Sequence, residues 1–164
     1  MSGTSKIKDL LSDAEKLAPS GFAFAFHIRM TTPDFLFQTY PKAWIDTYSE
    51  KGYVMVDPIV RWGFTEIGHI RWSSLSEMDD QNILEQSRAY GMNFGVAIAT
   101  ETGNSRSFAG FARPDREYDD AETSKLIGYV QSLHDLTASK NGMEADLRDE
   151  LQRLSIEMTH PSTT

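Results

Sequence analysis

Tyr40, Trp44 and Tyr48 recur at intervals of four residues, so a helix through them would carry all three on one face. Each has a large apolar body and a polar tip, and a buried hydroxyl or indole N–H needs a partner. Such a stripe serves core packing or the wall of a binding site. Asp57-Pro58 follows, set between Tyr53-Val54-Met55-Val56 and Ile59-Val60. A carboxylate in that apolar context is costly unless a donor meets it. The donor can be a helix N-terminus, since Asp before Pro is a common cap, or the N–H of a bound molecule. Trp72, fourteen residues beyond Pro58, adds another large apolar wall. These residue types suit recognition of a small molecule.

Bond-breaking machinery is not evident. The chain has no cysteine, and its four histidines (His27, His69, His134, His160) are scattered without the spacing of a helical metal site. A lactonase or acylase using Asp57 as base would need a nucleophile with an activating partner, or a metal cluster. Neither is written in the sequence, so the reading is a non-enzyme with no cofactor and no metal. The formal net charge of −8 opposes nucleic-acid binding by this chain alone, because phosphate neutralisation supplies most of that affinity. No apolar stretch is long enough for a membrane span and no signal-peptide pattern opens the chain. The expectation is a soluble, cytoplasmic protein.

The elements that must position these residues follow from periodicity. Ile7, Leu10, Leu11, Ala14 and Leu17 fall at helical spacing, and Pro19-Ser20-Gly21 ends that helix. Phe22 to Ile28 alternates large and small, predicting a strand with Phe22, Phe24, Phe26 and Ile28 on one face. Ala23 and Ala25 on the other face leave room for a packed helix or for a ligand. A helix is expected from Pro41 to about Lys51-Gly52, another over 59–66, a short extended piece at Ile70–Trp72, and a third helix over 77–90. Phe94–Thr100 and Arg106–Ala112 read as a hairpin across a five-residue loop. Asp119 starts a long helix with Leu126, Ile127, Val130 and Leu133 on one face, and a last amphipathic helix carries Leu147, Leu151, Leu154 and Met158. The whole implies one α+β domain over residues 1–164, with residues 1–4 and 159–164 as flexible tails. Its architecture is an α-β-α sandwich with a central antiparallel sheet covered by helices on both faces.

The set Tyr40-Pro41, Trp44, Tyr48, Tyr53, Asp57-Pro58 and Trp72 resembles the autoinducer-binding domain of LuxR-type quorum-sensing transcriptional regulators. Tyr90-Gly91, Phe94 to Ala97 and Ser107 to Ala112 resemble the strands that close the same pocket, so the likeness runs from about residue 5 to 155. The resemblance implies an N-acyl homoserine lactone as signal ligand. It makes Trp44 the donor to the lactone carbonyl, Asp57 the acceptor of the amide N–H and Tyr40 the donor to the acyl carbonyl. Trp72 and Tyr48 would be apolar walls, while Ala23, Ala25, Pro58, Ile59, Gly95, Ala97 and Gly110 would shape the pocket. A lactone-amide offers one N–H and two carbonyls, which this set complements with one acceptor and two donors.

The sequence also departs from that pattern. Ala97 and Gly110, which face the acyl carbonyl in this reading, bring no side-chain donor, leaving the bond to Tyr40 or a water. Full-length members of the family continue into a helix-turn-helix domain that this sequence does not contain. The resemblance therefore implies the ligand-binding part of a regulator, or a stand-alone domain. Its partner would be a second copy or a full-length LuxR-type regulator. The alternative is a sensory domain of the same fold that binds a different small molecule, or acts by dimerising with a full-length regulator.

Overall fold

The computed structural model describes residues 3–30 and 32–138, together with Asp149 and Arg153. Leu147, Leu151, Leu154 and Met158 of the expected last helix, and the expected tail 159–164, lie outside the described residues. At the other end, α1 (Gly3–Lys16) already includes Gly3 and Thr4, which were expected in a tail.

Large–small alternation in β1 (Gly21–Arg29) sends Phe22, Phe24 and Phe26 into one core and Ala23 and Ala25 to the opposite face. The alternation is interrupted at His27, which adopts a left-handed φ of 53°. The register with β2 continues unbroken, yet Phe26 and His27 are both buried and Ile28 comes out on the alanine side. This corrects the expectation that Ile28 shares the phenylalanine face.

β2 (Thr32–Gln38) pairs antiparallel with β1 and was not anticipated from sequence. Pro33 has no N–H to give a ladder, and β2 lies at the sheet edge, where that is tolerated. Its Phe35-Leu36-Phe37 run lacks polar alternation because Phe35 and Phe37 enter the core while Leu36 faces a cavity. β3 (Gly68–Arg71), β4 (Phe94–Thr102) and β5 (Ser105–Arg113) complete a five-stranded sheet of order β2-β1-β5-β4-β3, antiparallel throughout. The β4–β5 hairpin is tighter than expected. Thr102 pairs with Ser105, and Gly103, with φ of 62°, makes the turn.

Helices cover both faces. On the phenylalanine side, α1 and α5 (Asp120–Leu136) pack with Phe111, Val96 and Ile98 into a continuous core. Asp119 caps α5 through a reciprocal bond pair with Glu122, which satisfies two donors at the helix start. Leu126, Val130 and Leu133 are buried there, whereas Ile127 lies further round the helix and is exposed. On the alanine side lie α2 (Lys42–Glu50), α3 (Pro58–Thr65) and α4 (Ile83–Arg88).

The helix expected over 77–90 begins only at Ile83. Asn82 is left-handed, with φ of 57°, and the Asp79 carboxylate accepts the backbone N–H groups of Ile83 and Leu84 at 2.7 and 2.8 Å. Those bonds start α4 and stop the chain from propagating a helix through Asp79. Trp72 opens a 3-10 segment, Trp72–Met78, directly after β3.

Candidate ligand-binding site

The alanine face of the sheet is the floor of a cavity of about 200 Å³ lined almost entirely by carbon. Register places its floor in transverse rows. Gly110 of β5, Ala23 of β1 and Gln38 of β2 form one row, and Phe108, Ala25 and Leu36 the next. Small residues at Gly110, Ala23 and Ala25 keep the middle of this floor low.

Tyr40 reaches the cavity from a different element than expected. Pro41 is the N-cap of α2, with φ −51° and ψ 133°, so the helix begins at Lys42 and Tyr40 precedes it. A residue before proline is pushed into extended conformation, which explains the break. Tyr40, Trp44 and Tyr48 nonetheless line the same cavity. Trp44 is held by Tyr48, Tyr53 and Tyr90, with ring centroids 6.0, 6.1 and 5.3 Å away.

Asp57 is the cap that its sequence context allowed. Its Oδ1 accepts the Ile59 N–H at 2.8 Å, and Pro58 follows as the first residue of α3. The same carboxylate also accepts the Tyr48 hydroxyl at 2.6 Å, so Tyr48 is more than an apolar wall. Burial pushes the Asp57 carboxyl above its ordinary value, while bonds from Tyr48, Ile59 and Val60 pull it back. With both oxygens accepting, the ionised form fits the geometry, and a carboxylate has about four lone-pair sites. It retains acceptor capacity toward the cavity. Burial and the neighbouring Asp57 charge raise the Tyr40 and Tyr48 hydroxyls well above the usual phenol range, keeping both as donors.

Trp72 lies flat against β4. A Cβ built on Gly95 would come within 2.1 Å of its indole, so only glycine admits the ring there. A Cβ on Gly110 would meet the Tyr40 hydroxyl at 2.8 Å. The absent side chain on β5 is therefore the space that the Tyr40 hydroxyl uses. Three donors in this region have no partner among the described residues: the Tyr40 hydroxyl, the Trp44 indole N–H and the buried Trp72 indole N–H.

Nine of the residues anticipated from sequence line the cavity: Ala23, Ala25, Tyr40, Trp44, Tyr48, Asp57, Ile59, Trp72 and Gly110. Pro58, Gly95 and Ala97 stand behind the lining instead. Sequence reading missed Leu36 and Gln38 with their strand, and also Phe64, Phe108, Leu84 and Met92 as lining residues. The Phe35-Leu36-Phe37 run was the available signal. Among the described residues no cluster of His, Asp or Glu could hold a metal ion, and no helix is long and apolar enough to cross a membrane.

Comparison with known proteins agrees with this arrangement. The profile of the autoinducer binding domain family matches residues 14–139, most of the chain. The chain belongs to the autoinducer-binding domain family of LuxR-type regulators. The transcriptional activator protein VanR of Vibrio anguillarum is 31% identical over 80 residues, covering 47% of this chain and 33% of that protein. The regulatory protein SdiA of Escherichia coli is 31% identical over 70 residues, covering 42% of this chain and 29% of SdiA. The autoinducer-binding domain thus matches about a third of the length of these relatives, which are transcriptional regulators and not enzymes. Its fold is shared with an N-acylhomoserine lactone-dependent LuxR family transcription factor from Burkholderia cenocepacia, at a TM-score of 0.60, 19% identity and 79% coverage of each chain. SdiA solved in complex with octanoyl-rac-glycerol gives a TM-score of 0.61 at 20% identity, covering 88% of this chain and 64% of that one.

Proposed function

We propose that this domain binds an N-acyl homoserine lactone, with the head group between Trp44, Asp57 and Tyr40 and the acyl chain over Ala23 and Ala25. The observation that carries the reading is the match of polarity inside one carbon-lined cavity. The Tyr40 hydroxyl and Trp44 indole N–H are donors without partners, and Asp57 is an acceptor with capacity left. Trp44 would donate to the lactone carbonyl, Tyr40 to the acyl carbonyl, and Asp57 would accept the amide N–H. Trp72, seated on Gly95, walls the ring, while Tyr48 steadies the acceptor. The Asp57 bond should dominate head-group recognition, since hydrogen bonds to charged groups contribute about 1.5–3 kcal/mol.

Calorimetry with a panel of acyl homoserine lactones tests the proposal, with octanoyl-glycerol of matched chain length as comparator. Binding of the lactones at least tenfold tighter than the glyceride supports it. Preference for the glyceride would point to a hydroxyl donor at Asp57 and a different ligand class. The signal would be passed on through a second chain, either another copy or a full-length LuxR-type regulator in the cytoplasm. Native mass spectrometry of such mixtures, with and without lactone, checks this; a monomer under every condition would contradict it.

A further inference from the structure

The lining changes character along its length. At the head-group end Trp44, Asp57, Trp72 and Gly110 are buried, and Tyr40 and Tyr48 are half-buried. From there the floor runs along β1 over Ala23 and Ala25, which have no side chain beyond Cβ. It reaches Ile28, turned onto this face by the left-handed His27 and paired with Pro33. Every lining residue of β1 and β2 is partly exposed, and Phe64, whose ring packs 5.7 Å from that of Phe108 on the same floor, is 36% exposed. Apolar side chains exposed singly are ordinary. Here, however, they are continuous with a cavity whose other end holds the buried Asp57, Trp44 and Trp72, and exposed apolar surface of that kind marks a contact site.

We infer that the cavity is open at its acyl end, so that this receptor takes long unbranched acyl chains whose last methylenes lie across Phe64, which packs on the floor residue Phe108, at the surface. The occupant is the ligand's own tail, because the exposed rim continues the lining that begins at the head-group donors. This rests on the acyl homoserine lactone reading and extends it: head-group chemistry selects the class, and no fixed floor selects a length. A closed pocket would instead read chain length sharply, since one methylene too many forces overpacking.

The test is an affinity series of straight-chain acyl homoserine lactones from butanoyl to hexadecanoyl on the whole chain. Each added methylene that is buried should tighten binding about fourfold, and the series should then level off without falling. A drop of tenfold or more beyond some length would reveal a floor and overturn the inference while leaving the head-group reading intact. Failure of every homologue to bind would overturn both. A second arm uses a dodecanoyl lactone carrying a bulky fluorophore at its terminal carbon. An open end admits it within about threefold of the unlabelled ligand, whereas a closed one excludes it. In Phe64→Asp the ratio of long-chain to short-chain affinity should fall at least fivefold; an unchanged ratio counts against the tail crossing that rim.

Discussion

At the scale of single residues, Asp57 joins the start of α3, the Tyr48 hydroxyl and the proposed ligand in one carboxylate. Asp57→Asn keeps an oxygen for the cap and removes the charge. It should therefore lower lactone affinity roughly ten- to a hundredfold, while the melting temperature of the free protein moves little. Ile59→Ala should lower affinity less, and equal losses by calorimetry would reduce Asp57 to a cap. Because burial raises the Asp57 carboxyl, binding should weaken on acidification sooner than an ordinary carboxylate would allow. The sign follows from the acceptor role: protonation removes charge from the group that receives the amide N–H. A titration of affinity against pH checks it, and Asp57→Asn should flatten the profile. Gly95→Ala is the sharpest steric test, because its Cβ would overlap the Trp72 ring. A destabilisation of about 1–3 kcal/mol is expected from such overpacking, measured by denaturant unfolding.

At the scale of elements, α5 is fastened to the sheet through two histidines. His27 of β1 and His134 of α5 stack with centroids 4.3 Å apart. His27 Nε2 donates to the His134 carbonyl at 2.8 Å, and the Ser107 hydroxyl bonds His134 Nδ1 at 2.6 Å. Burial first, and then the facing His27, lower the His134 pKa, with Asp135 opposing weakly. A histidine whose native pKa is depressed stabilises the fold fully above its unfolded value, near 6.5, and loses that contribution as pH falls. Unfolding free energy should thus decline below about pH 6.5, and His134→Gln should reduce the slope; equal slopes would remove His134 as the cause. Elements differ in how far they could be read from sequence. β1, β4, β5 and α5 announce themselves because large and small side chains recur at the period of the element or clear punctuation bounds it, at Pro19-Ser20-Gly21, Gly103 or Asp119. β2 does not, since it is apolar on both faces and carries Pro33. The start of α4 was equally hidden, because it depends on where the Asp79 side chain turns. Within the site, Trp44, Asp57 and Trp72 were legible as residues that are expensive to bury. Leu36, Phe64 and Phe108 were not, because a carbon wall of a cavity looks like core until the void beside it is seen.

At the scale of the molecule, the sheet separates a dense side from a hollow one. The phenylalanine side is filled by Phe22, Phe24, Phe26, Phe35, Phe37 and Phe111 under α1 and α5, whereas the alanine side keeps its cavity. An unfilled space forfeits dispersion contacts along its lining, so ligand should stabilise the fold by more than it alters it. Saturation at a hundred times Kd should add about 2.7 kcal/mol, seen as a higher melting temperature; an unchanged midpoint would contradict binding to the folded state. The left-handed His27 governs how this two-sided strand answers a change in length. Deleting Ala25 would swing Phe26 into the hollow and reverse everything after it. Deleting His27 would leave Ile28 facing the hollow, while losing the clasp to α5 and the bonds to Ser105 and Ser107 and slipping the last two pairs with β2 by one residue. A scan of single-residue deletions through β1 should find one position where the strand forgives shortening, and that position is the histidine.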